Sequence, residues 1–110
     1  MEDPNQTFVS ESFMALYTER GRPTAPRADI EARYEFCDDL ASQVSEMCRT
    51  VQFSADLSES AALRTCFDGL AQPPLAVTGP ESAWVMCRVC ELLEWDVPAW
   101  LAERAPRGAR

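Results

Sequence analysis

Cys87-Arg88-Val89-Cys90 places two thiols at the spacing used by metal ribbons and thioredoxin-like redox sites, where both sulfurs reach one ion or each other. A tetrahedral metal site needs four ligands. The chain has no histidine and no second paired-cysteine motif, so Cys37, Cys48 or Cys66 would have to complete such a site from separate segments. Those three fall on apolar stripes, as Cys90 does, and a thiol there behaves as a small hydrophobe. Cys87 lies nearer the polar side of its helix, beside Trp84, and is the thiol expected to react first. Redox catalysis fits poorly, because it calls for a thiolate at a helix N-terminus in a strand-helix setting, and Cys87 falls well inside its helix. The expected role of the cysteines is packing, with no metal and no cofactor.

Carboxylates are the second group. Glu31, Glu35, Asp38, Asp39 and Glu46 share the wetter side of one long helical pattern, where exposure keeps them ordinary carboxylates and suits them to docking a basic partner. The di-iron Glu-x-x-His pattern cannot be assembled without histidine. The tryptophans Trp84, Trp95 and Trp100 form the third group. Helical phase sets Trp84 beside Arg88 and Glu91, and with Trp100 it could border an apolar groove or a homodimer seam. The candidate partner surface is therefore Trp84, Arg88, Glu91 and Trp100, joined by Glu35, Asp38 and Asp39.

Enzyme chemistry is narrowed by subtraction. Without histidine the usual hydrolase base is missing, and without lysine Schiff-base and phosphate-loop chemistry are both gone. The formal charge of -8 sets 18 acidic residues against 10 basic ones, all arginine, which disfavours nucleic acid and anionic membrane surfaces as partners. With 110 residues, 46% hydrophobic and 25% charged, the composition is that of one globular domain. Five cysteines, an acidic opening Met1-Glu2-Asp3 without an apolar signal region, and no apolar run of membrane-spanning length lead to the expectation of a reducing cytoplasm.

The elements that must carry these residues read as helices. Thr78-Gly79-Pro80-Glu81 has the grammar of a capping box, with proline in the first turn, where no donor is needed. The helix that follows, to Trp95, is apolar around most of its circumference. Glu81, Arg88, Glu91 and Glu94 form its thin wet stripe. Such a helix should run through the middle of the domain. An amphipathic helix is predicted from about Pro26 to Gln52, with Ile30, Tyr34, Cys37, Ala41, Val44, Cys48 and Val51 on its apolar face, flanked by Leu40 and Met47. A first helix is expected from Ser10 to a left-handed stop at Gly21, and a third, capped by Asp56 or Ser58, carries Leu63, Cys66, Phe67 and Leu70 to Pro73-Pro74. Leu75-Ala76-Val77 reads as a linker. Asp96 should cap a last short helix containing Trp100 and Leu101.

Phe13-Met14-Ala15-Leu16-Tyr17, Arg22 to Arg27, Ala32 to Ala41 and Trp84 to Trp95 together resemble an uncharacterised family of short proteobacterial helical proteins sometimes labelled "ATPase with chaperone activity". The resemblance implies a bacterial helical protein and transfers no site residues. For the nucleotide chemistry in that label, the chain offers neither a Gly-rich phosphate loop nor a lysine. The expected fold is all-α, a single bundle of about five helices over residues 1–110, with the helix near 80–95 at its centre and flexible ends at 1–6 and 106–110. The expected function is a small non-catalytic cytoplasmic protein-interaction module: an adaptor, a chaperone-like accessory or a self-associating protein. The alternative is a thiol- or zinc-dependent regulator using Cys87 and Cys90.

Overall fold

The longest element, α2 (Arg27–Ala55), has 29 residues. At 1.5 Å per residue it is about 43 Å long, and it sets the 49 Å long axis of the molecule. The computed structural model describes residues 8–73 and 75–105, so the ends expected to be flexible, and Pro74, lie outside the described residues. Pro26 occupies the N-cap of α2, and Asp29 in the first turn complements the positive end of the helix dipole. Asp56 ends the helix in the left-handed conformation (φ 51°), and its N–H and that of Leu57 both donate to the Gln52 carbonyl. Ile30, Cys37, Leu40, Ala41, Val44 and Cys48 are buried, as a 3.6-residue period requires. Ser45, next to the acidic Glu46, is buried too, and its hydroxyl donates to the Ser42 carbonyl at 2.7 Å.

Against this face pack α3 (Glu59–Leu70) and α4 (Gly79–Leu93). Ser58 caps α3 by accepting from the Ala61 N–H at 3.1 Å, and Leu63, Cys66 and Leu70 enter the core. The capping box of α4 forms as expected: the Thr78 hydroxyl accepts from the Glu81 N–H at 3.2 Å, and the Glu81 carboxylate accepts from the Thr78 N–H at 3.1 Å. From Ala83 to Cys90 only Arg88 escapes burial. This helix touches α1, α2, α3 and α5, which makes it the central packing element. The described chain is a mostly helical bundle of five α-helices, and no described helix is long and apolar enough to cross a membrane.

The first helix is shorter than its residues suggest. Ser10 caps α1 (Glu11–Met14), one 3₁₀ turn follows at Ala15–Tyr17, and the chain then forms a two-residue antiparallel ladder of β1 (Thr18–Glu19) with β2 (Arg22–Pro23). Arg20 (φ 52°) and Gly21 (φ 78°) both have positive φ, as a tight two-residue hairpin turn demands. Gly21 does adopt the left-handed conformation, yet it reverses a hairpin and does not stop a helix. The last helix, α5 (Ala99–Ala102), begins after Pro98 at the N-cap, so Asp96 does not cap it. Leu101 anchors it in the core.

Candidate functional site

Glu81 is the hub of a polar network that ties three segments of the chain together. Expected on the wet stripe of α4, it is only 1% exposed. Arg33 on α2 donates from Nε to Oε2 at 2.9 Å and from Nη2 to Oε1 at 2.8 Å, and Tyr17 donates its hydroxyl to Oε2 at 2.5 Å. With the Thr78 amide, the carboxylate accepts four hydrogen bonds. Burial works to raise its pKa, but Arg33, Tyr17 and the Thr78 amide outweigh burial and hold it below the usual carboxylate value. Its hydrogen bond raises the pKa of Arg33, while burial first and then the bond to Glu81 push Tyr17 up to about 12. Arg33 Nη2 also donates to the Ala76 carbonyl at 3.0 Å, which pins the linker before α4. Among the described residues no buried side-chain N or O lacks a partner. Arg33, Glu81, Tyr17 and Thr78 thus form one hydrogen-bonded network that joins α2, the start of α4 and the segment after α1.

Cys37, Cys48, Cys66 and Cys90, expected on apolar stripes, are buried in the core. All five are buried and outside any disulfide, and the described residues contain no cluster of three or more potential metal ligands. Cys87 is 8% exposed, so its phase near the polar stripe does not bring it to the surface: residues from neighbouring segments cover it. Burial first, then the Glu81 charge, pushes Cys37 up to about 12. Burial first, then Cys87 and nearby carboxylates, does the same for Cys90, also to about 12. Cys48 and Cys66 share a hydrogen bond between α2 and α3. That bond and burial raise Cys48, whereas Cys66 is lowered because its thiolate accepts the bond.

The expected partner surface divides. Trp84 is buried, 4% exposed, with its ring 5.1 Å from Phe13 and 5.8 Å from Tyr34 (centroid to centroid) and its Nε1 donating to Ser12 Oγ at 2.9 Å. Phase set it beside Arg88 and Glu91, and it does line a 240 Å³ pocket with them, but aromatic rings from α1 and α2 close over its faces. Arg88 is spent on Glu91 (3.0 Å) and Asp38 (3.7 Å). Trp100 lies well away from Trp84 in its contacts: it packs on Phe67 at 5.4 Å, donates to Ser60 Oγ at 3.1 Å and is flanked by the Arg64 and Arg104 guanidinium groups. Glu35 and Asp39 are exposed on α2, as expected.

The surface feature that residue-by-residue reading passed over is a groove of about 350 Å³ between α2 and α3. Leu40, Val44, Met47 and Val51 form one wall, with Thr65 and Gly69 opposite. Cys66 and Leu70, both buried, and Leu75 of the linker complete its lining. Met47, at 55% exposed, and Phe36, at 39%, leave apolar surface in water along the same side of α2. The signal in the sequence was the pair of apolar positions flanking the α2 face, Leu40 and Met47, which make that face wider than one neighbouring helix covers. Comparison with protein-family models, with curated proteins and with solved structures finds no match for this chain.

Proposed function

We propose that this chain is a small, non-catalytic protein-interaction module of the reducing cytoplasm, an adaptor or chaperone-like accessory that docks partners through the α2–α3 groove. The observation that carries this reading is the groove itself, walled by aliphatic side chains and continued onto solvent by Met47 and Phe36. Two further observations support it. Arg33, Glu81 and Tyr17, the perturbed groups that in an enzyme would be candidates for acid-base work, satisfy one another. Five buried thiols outside any disulfide suit a reducing compartment.

The test is an affinity purification from the native host with the wild-type chain and Met47→Glu in parallel. The substitution puts a charge into the groove at an exposed position and should leave the helical spectrum and melting temperature close to wild type. Partners retained by the wild type and lost by the variant support the reading. An identical set on both, or catalytic turnover in an unbiased substrate screen, overturns it.

A further inference from the structure

Gly69 lies in the last turn of α3, outside the left-handed region, and a Cβ built on it meets nothing within 4 Å. Neither a turn nor a close approach inside the chain calls for glycine there, and alanine would hold the helix better. What the missing side chain does is keep the α3 wall of the groove open opposite Met47. Across from it, Phe36, Leu40, Gln43, Met47 and Val51 follow one another on α2 in steps of four and three residues, the spacing at which a second helix packs along a first. From Leu40 to Val51 this seam covers about three turns. At 100° per residue Asp39 and Glu46 come next to Gln43 on the solvent side, and both are exposed.

We propose that the groove takes an amphipathic α-helix of another protein, about three turns long, its apolar seam laid along Leu40, Met47 and Val51 and its flanking lysines or arginines paired with Asp39 and Glu46. The proposal rests on the interaction-module reading and names its partner class. Charge decides the occupant: a second copy of this chain would bring the same carboxylates, and a net charge of -8, against themselves. Met47 suits the site because an unbranched thioether repacks against more than one apolar sequence.

Two fluorescent synthetic helices of equal length and identical leucine seam, one flanked by lysine and arginine and the other by glutamate, test this by anisotropy against the full chain. The basic helix should bind at least about tenfold more tightly than the acidic one, and the preference should disappear in Asp39→Arg/Glu46→Arg. Gly69→Trp, whose ring enters open space, should weaken the basic helix by about tenfold or more. If that variant loses its helical spectrum, Met47→Arg, which sets a like charge against the basic helix, serves in its place. Equal binding of the two helices, no binding, or binding indifferent to the groove variants overturns the proposal. So does self-association in light scattering that a groove variant abolishes. If the peptide preference fails while Met47→Glu still loses native partners, the occupant is wrong and the module stands. If both fail, both readings fall.

Discussion

Arg33 and Glu81, 48 residues apart in the chain, meet in a two-pronged ion pair that joins α2 to the first turn of α4, with N–O distances of 2.9 and 2.8 Å. The same carboxylate closes the capping box on Thr78 and receives the Tyr17 hydroxyl. One side chain thus fixes where α4 starts, how it crosses α2, and where the hairpin segment after α1 docks. Removing its partner should cost more than the pair is worth, because a buried carboxylate is left uncompensated.

Arg33→Ala is therefore expected to destabilise the fold at pH 7 by about 3 kcal/mol, measured by urea unfolding. The pH dependence carries the sign. In the wild type Glu81 has a folded pKa below 4.5, so it contributes stability above that value and loses it as pH falls through the folded pKa. Without Arg33 burial dominates, the carboxyl pKa rises, and the deficit of the variant relative to wild type should shrink as pH is lowered from 7 toward 4. A deficit that is constant with pH contradicts the assignment.

At the alkaline end, Tyr17 is raised from 10.0 to about 12, and Cys37 and Cys90 from 9.0 to about 12. Groups raised in this way stabilise fully below their unfolded pKa and lose that contribution as pH climbs through the folded one. The melting temperature should hold up to about pH 9 and fall between about 9 and 12. Cys37→Ala combined with Cys90→Ala should flatten the first part of that fall. A wild-type melting temperature unchanged to pH 11 would falsify the burial of these groups.

Trp84→Ala should cost about 3–5 kcal/mol, because it removes the ring on which Phe13 and Tyr34 pack. Trp84→Phe, which keeps one aromatic ring but loses part of the buried volume and the hydrogen bond to Ser12, should cost less, about 1–3 kcal/mol. Chemical denaturation checks both. A cost below 1 kcal/mol for the alanine variant would return Trp84 to the surface.

These contrasts show which kind of information the sequence carries. Local grammar was legible: Thr78 and Glu81 form their capping box, Ser58 caps α3, and the periodic positions Ile30, Cys37, Ala41, Val44 and Cys48 face the core. What was not legible depends on neighbours distant in sequence. Helical phase places Glu81 and Trp84 next to Arg88, yet Arg33, Tyr17, Phe13 and Tyr34 arrive from elsewhere and cover both. The groove was hidden for the complementary reason. It exists because α3 covers only part of the apolar face of α2, and Leu40 and Met47 reveal the width of that face without saying how much of it a neighbour takes. The turn at Arg20-Gly21 combines both limits, since Gly21 announces positive φ and only the pairing of Thr18 with Pro23 says that the chain reverses there.

Native-state alkylation followed by mass spectrometry should find no fast thiol pair. Cys66, which lines the groove, is expected to be labelled first, and Cys37, Cys48 and Cys90, which are more completely buried, only at the rate of unfolding. Protein purified without chelator should carry no stoichiometric zinc. Rapid modification of Cys87 and Cys90 together, or one zinc per chain held by them, would favour the thiol- or zinc-dependent regulator.

The central claim is that the face between α2 and α3 is where this chain meets another protein. A photoactivatable residue placed at position 47, in the groove, and in a second variant at position 91, on the Arg88 side, tests it in the native host. The account predicts covalent adducts with one or a few defined proteins from position 47 and none from position 91. Adducts from position 91 alone, or none from either under conditions where both variants fold, contradict it.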